Sequence, residues 1–334
     1  MAGSSDRARR RCAALITVVL GGLLLSGCSI KLAYNNADRL IRWSVDDYVD
    51  FERPQRDFLS GELARLLYWH RTTQLPRYTG VLRRLEADIA LAAGSSLRGD
   101  DGAQAQLEAQ FRDFLTVALE WAETIQQQGQ RTGSQLLVSL TPEQIGELPD
   151  KLSRENRKFA KEEAGKTLEE NRARWAREVR KGLKRFTGRL STVQKDYIAG
   201  QSLRYEPEFV PWVRYRERWQ ADLLVLLDRW AQQSIDAPTL VTRFRALADA
   251  RESYYGDFAP VRESNEALAI ETIAGVFTRM TPEQAARYSE RFLAIVEDLE
   301  ELVEEAAPAP PPALTAAECL WVTPTCPGPP INAP

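Results

Sequence analysis

Histidine is nearly missing from this chain: His70, in LLYWHR, is the single one among 334 residues. Two-histidine metal motifs and histidine-rich metal centres are thereby excluded. One histidine could still serve a catalytic triad, but the G-x-S-x-G nucleophile signature is absent, as is a glycine-rich phosphate loop. Long apolar runs are lacking too. The first such run, Ala13 to Leu25, has thirteen residues, whereas a spanning helix needs roughly 20. No segment sustains apolar-polar alternation with β-branched enrichment, which excludes a sheet from the expected fold. Nor is there a charge excess of one sign: 44 basic and 47 acidic side chains give a net charge of −3. Global charge therefore offers no reason to expect a nucleic-acid partner. The four cysteines are too few and too dispersed for a disulfide framework.

The short apolar run has the flanks of an export signal. Arg7, Arg9, Arg10 and Arg11 precede it, and small residues lead from it into a cysteine, the three-part layout of a leader. Leu25-Ser26-Gly27-Cys28 resembles the bacterial lipobox. That resemblance implies removal of residues 1–27, a diacylglycerol on the Cys28 thiol and an acyl chain on its amino group, which together give a lasting membrane anchor. Ser29 follows where an aspartate would favour inner-membrane retention, so the expected location is the outer membrane, facing the periplasm. The leader carries four of the basic and one of the acidic side chains, which puts the mature charge near −6.

With Cys12 in the leader and Cys28 lipidated, Cys319 and Cys326 are the pair left to bridge. In an oxidising compartment, with six residues between them, a disulfide is expected. They sit in residues 307–334, which contain nine of the eighteen prolines and read as an extended tail, because proline cannot continue a helix.

Between Asn36 and Ala306 the period is helical. Leu107, Phe111, Phe114, Ala118, Trp121 and Ile125 recur at steps of three and four, as do Ala285, Tyr288, Phe292, Ile295, Leu299 and Leu302, each set forming one apolar seam. Helix starts stand in LTPEQ (Leu140–Gln144) and MTPEQ (Met280–Gln284): threonine caps, proline takes the first turn, and glutamine closes a capping box. The two lie 140 residues apart, and QRDFLSGEL (Gln55–Leu63) aligns with QKDYIAGQSL (Gln194–Leu203) at an offset of 139. FRDFL at Phe111 and FRAL at Phe244 correspond at an offset of 133. The expected fold is all-α: an elongated multi-helix bundle, read as two similar four-helix units, residues 51–160 and 190–306, joined by a charged connecting helix over 161–189. Residues 28–50 form the lipidated segment and a first helix. The connector carries nine basic residues from Arg172 to Lys195 and an apolar stripe of Trp175, Val179, Leu183, Phe186 and Leu190. Such a helix either packs its stripe on neighbours or contacts anionic lipid or an acidic partner.

The run SIKLAYNNADRLIRWSVDDYVDFERPQRDFL, followed by YWHRTTQLPRY, resembles an uncharacterised family of Gram-negative lipoproteins, a domain of unknown function. Tyr34 to Asn36, Trp43, Asp46, Asp47, Tyr48, Trp69, His70, Arg71, Leu75 and Pro76 carry that resemblance. It implies a lipoprotein identity and supplies no catalytic residues. Leu140-Thr141-Pro142-Glu143-Gln144 is also similar to the LTxxQ motif of the helical Spy-type periplasmic chaperones. Met280 replaces the leucine in the second copy, and Leu190 to Gln194 departs by serine for threonine.

The expected function is accordingly a non-enzymatic interaction or scaffold protein of the cell envelope. It needs no cofactor beyond the covalent lipid at Cys28 and no metal, and its partners are the membrane and another envelope protein. Trp43, Asp46, Asp47, Tyr48, Trp69, His70 and Arg71 are the candidate interaction residues. Spy-like chaperone action is one alternative. A carboxylate-dependent hydrolase is the other, with Asp46, Asp47, Asp50 and Glu52 beside Trp43 and Tyr48, since two acids flanking a bond are what glycoside cleavage requires. On a helix Asp46 and Asp50 would share a face.

Overall fold

A computed structural model describes residues 30–97, 102–163 and 165–305. The leader, Cys28 and the tail with Cys319 and Cys326 lie outside the described residues. Within them the chain is all-α, with no strand. Two helices rather than one precede the body: α1 (Ile30–Asn35) and α2 (Ala37–Asp46). The first half continues with α3 (Arg53–Trp69), a π-helical turn (His70–Gln74), α4 (Leu75–Leu97), α5 (Ala103–Ser139) and α6 (Pro142–Glu163). After α7 (Leu168–Thr187) come α8 (Thr192–Ser202), α9 (Phe209–Ala231), α10 (Ala237–Asp249), a 3-10 turn (Ala250–Tyr254), α11 (Phe258–Phe277) and α12 (Pro282–Glu304).

The charged connector is not one helix. Its first residues finish α6, Gly165 turns the chain at φ +78°, and Thr167 with Glu170 closes a capping box that starts α7 afresh. Gly188, at φ +77°, then ends α7 in a backbone conformation that suits glycine. The stripe from Trp175 to Leu190 packs into the core against Ile198, Val276, Phe277 and Tyr288, while Arg177, Lys181 and Lys184 remain exposed.

Besides the Thr167-Glu170 box, four capping boxes closed by glutamine organise the fold, at Glu52-Gln55, Thr141-Gln144, Ser191-Gln194 and Thr281-Gln284. In each the glutamine Oε1 accepts the backbone N–H of its own cap residue. The amide Nε2 is left to donate elsewhere, and the boxes meet in pairs. Gln55 and Gln144 exchange two amide bonds of 2.9 and 2.8 Å, and their remaining protons go to the carbonyls of Ser139 and Asp50. Gln194 and Gln284 exchange two bonds of 3.0 Å, with remaining protons on Arg279 and Arg189 carbonyls. These acceptors correspond at the same offsets of 140 and 139 that relate the glutamines. Gln55, Gln194 and Gln284 are buried and Gln144 is half-buried, and a buried amide must be fully bonded to be tolerated. Glutamate could close the box but could not donate across it.

The halves interlock. Helix α12 packs along α4 and α6 packs along α9, so the last helix of each half lies on the other half. The core follows suit. One cluster joins Phe58, Leu59 and Leu63 to Leu136, Ile145, Leu227 and Leu240; a second joins Leu85, Ile89 and Leu107 to Leu183, Ile198 and Val276; a third joins Leu75, Tyr78 and Leu82 to Val296, Leu299 and Leu302. Residues 190–305 hold five helices where 51–163 hold four.

Candidate functional site

Pro76 shapes the most unusual stretch of backbone. It has no N–H to give, and its ring would press on the Thr72 carbonyl one turn back. The helix widens instead, with the Leu75 N–H bonded to the His70 carbonyl five residues earlier, and the threonine hydroxyls of the turn donate to the Tyr68 and Trp69 carbonyls. A π turn rotates successive side chains less than an α turn does, so Trp69, His70 and Arg71 are all buried in sequence.

Around this turn α1, α3, α4, α5 and α12 meet. The Tyr34 hydroxyl of α1 donates to the Leu67 carbonyl at 3.1 Å and lies 3.1 Å from His70 Nδ1. With the phenolic proton so placed, His70 donates from Nδ1 to the tyrosine oxygen, and Nε2 carries the lone pair. His70 also stacks on Tyr34 and meets the edge of Tyr78, which in turn stacks on Trp121. Burial pushes the His70 pKa down to about 4 and pushes the Tyr34 and Tyr78 hydroxyls up. Arg71 donates to the Leu302 carbonyl and to the Glu305 carboxylate at 3.0 Å. Lys31 pairs with Glu301 and Glu305, and the bond to Lys31 holds the Glu305 carboxyl below its usual range. The Ile30 amide donates to Asp298 at 2.9 Å. Thus α1, the π turn and the end of α12 form one cross-braced corner.

The remaining candidates separate. Trp43 is exposed on α2, and Asp46 and Asp47 are exposed at its end. Helix α2 stops at Asp46, so Asp50 does not share a helical face with it, contrary to the expectation from spacing. Asp50 bonds Lys151 at 2.9 Å, which lowers its pKa. Tyr48, half-buried, accepts from Arg216. The structure therefore does not bring the acids together with His70. What it does form beside Trp43 is a shallow depression of about 240 Å3, lined by Arg39, Arg42, Trp43, Asp46, Arg56 and Leu59. The arginines of this depression escaped sequence reasoning because they come from two helices and follow no motif. Four of the five capping boxes close with glutamine and one with Glu170, but no local pattern says which glutamine meets which.

A protein-family profile matches residues 47–249, well over half the chain, running from just after α2 to the end of α10. The chain belongs to a family of unknown function, DUF6279. No curated protein and no solved structure matches it. The DUF6279 match includes the π turn and the Gln55-Gln144 pair; Tyr34, Trp43 and all of α12 fall outside it. Among the described residues no helix is long and apolar enough to cross a membrane, and no group of three or more histidine, cysteine, aspartate or glutamate side chains is arranged to hold a metal ion.

Proposed function

We propose that this chain is a non-enzymatic interaction or scaffold protein of the Gram-negative cell envelope, tethered by lipid at Cys28 to the outer membrane and facing the periplasm. The observation that carries the reading is the use made of its chemically versatile side chains. His70 bonds Tyr34, Arg71 holds the end of α12, and Asp50 holds Lys151. Each fastens one stretch of the chain to another. With His70 only 8% exposed, a substrate in solution has no access to the imidazole, whereas the outer faces of the helices offer area for recognition. The Thr141 and Gln144 side chains of the LTxxQ-like motif are likewise engaged in capping and in the pairing with Gln55. A tether raises the local concentration of the body toward other membrane-bound components.

Mass measurement of the mature amino terminus tests the anchor: a lipidated Cys28 is expected, and an unmodified Cys28 or intact leader defeats it. Crosslinking in intact cells tests the activity. One stable envelope partner supports the scaffold, and many unrelated clients would instead support chaperone action. Asp46→Asn, Asp47→Asn and His70→Ala, in protein that still folds, should each retain most of whatever activity a deletion strain reveals; complete loss from any one would promote the hydrolase.

A further inference from the structure

We propose that the outward face of α1 and α2 lies on the membrane surface, and that the depression beside Trp43 seats the phosphate headgroup of an anionic phospholipid. The inference rests on the lipid anchor proposed at Cys28. Only Ser29 stands between that cysteine and Ile30, and two residues of chain span at most roughly 7 Å. Helix α1 therefore begins at headgroup depth, and whichever surface adjoins Ile30 meets the bilayer.

The inward face of these helices is occupied. Ile30 and Tyr34 pack with the α4–α12 cluster, and Ile41 and Val45 with the α3–α6 cluster. The outward face carries Leu32, Leu40 and Trp43, which are 55%, 49% and 46% exposed. Steps of eight and three residues keep them on one side of a helix interrupted only at Asn36. Three large apolar side chains on so short a stretch, beside an acyl anchor, suit shallow insertion, and tryptophan favours the headgroup level.

Charge complements the apolar face. Among the described residues, the exposed Arg39 side chain makes no bond, Arg42 is held by Asp38 and Ser60, and Arg56 gives Nε to the Phe51 carbonyl with no bond from its terminal nitrogens. These guanidiniums surround the Trp43 depression against one acid, Asp46, at its rim, and their fork geometry matches phosphate oxygens. The acidic end of α12 lies close by, but Lys31 and Arg71 pair with its Glu301 and Glu305, which limits repulsion from anionic headgroups. A second basic surface, with Lys184 and Arg189 around the end of α7 and Arg287 and Arg291 on α12, has its apolar stripe committed to the core, which leaves the single small side chain of Val193 exposed next to Arg189 in the chain.

The test uses the full mature chain with Cys28→Ser, which lacks lipid, in co-flotation with vesicles of phosphatidylcholine alone or mixed with phosphatidylglycerol at constant ionic strength. Wild-type sequence should partition about tenfold or more better onto the anionic vesicles, each basic residue near the surface contributing about fivefold. Arg39→Glu should remove most of that preference. Leu40→Asp and Trp43→Ala should weaken binding to both vesicle types, while Arg189→Glu combined with Arg287→Glu should change nothing. Thermal melts of each variant establish folding. Equal partition onto both vesicles, or loss through the Arg189 and Arg287 pair instead of Arg39, would each overturn the proposal. The vesicle result does not depend on the mass of the amino terminus, so the anchor and the surface can fail separately.

Discussion

The two halves of the body start alike and continue differently. Each opens with a capping-box glutamine that pairs with the glutamine starting its last helix. Thereafter the first half is continuous at two places: α3 passes into α4 by the π turn, and α5 extends for 37 residues. The second half is interrupted twice at the corresponding places, between α8 and α9 and again between α10 and α11. Local chemistry explains both. Pro207 stands in the first gap, where proline disfavours helix at the residue before it, and Gly256, at φ +52°, turns the chain in the second. Pro76 in the first half sits inside a helix that packs along its length on α5 and α12, and there the chain widens by one residue rather than stopping. A proline breaks a helix or merely distorts it according to what packs around it.

Four predictions sharpen or break this comparison. The largest effect is expected from the paired glutamines. Gln194→Glu buries a carboxylate, removes the cross-helix donors and leaves carbonyls unbonded, a loss of about 4 kcal/mol. If the halves are the two copies proposed from the sequence, Gln55→Glu should cost nearly as much by urea unfolding; a small effect at either would separate them.

The second prediction concerns a group present only in the first half. Above the ordinary histidine pKa of about 6.5, His70 is neutral in both folded and unfolded chains and pH has no effect through it. Below that value the unfolded chain takes up a proton, while the folded one resists until about pH 4. Stability should therefore fall as pH drops through this window, by at most about 3 kcal/mol. The difference in stability between wild type and His70→Gln, followed by urea unfolding from pH 7 to 4, should show that slope; parallel curves would mean that His70 protonates without disturbing Tyr34.

Two glycines give the third. A methyl group at Gly275 on α11 would stand 2.3 Å from the Tyr197 hydroxyl, whereas at Gly133 on α5 it would meet the Phe244 ring at an ordinary 3.6 Å. Gly275→Ala should cost about 2 kcal/mol through overpacking, and Gly133→Ala should be neutral or stabilising, since alanine is the better helix former. Thermal melts decide it, and equal shifts would deny the tighter crossing in the second half. The smallest effect belongs to the caps: Thr141→Ala and Thr281→Ala should each cost about 1 kcal/mol, and a much larger loss at one would mean that its glutamine pair depends on the threonine.

Much of the helical pattern was legible because it is local. Spacing along one helix placed the seams of Leu107 to Ile125 and Ala285 to Leu302, and cap chemistry placed the starts at Thr141 and Thr281. The lipobox-like leader and proline-rich tail are expectations likewise read from consecutive residues, and they lie outside the described residues. Pairing was not legible. Gln55 with Gln144, Tyr34 with His70, Arg71 with the Leu302 carbonyl, and Arg39 beside Arg56 are juxtapositions across helices, and nothing in a single chain segment states which helix it will face. The sequence by itself determined that the described residues are helical and where the helices capped by Thr141 and Thr281 begin. Only the tertiary structure decided that the halves interlock, that His70 and Arg71 turn inward at a π turn, and that Leu32, Leu40 and Trp43 stay outside. The reason is physical: a side chain's burial depends on the packing of distant elements, whereas its cap and its helical phase depend only on its neighbours in the chain.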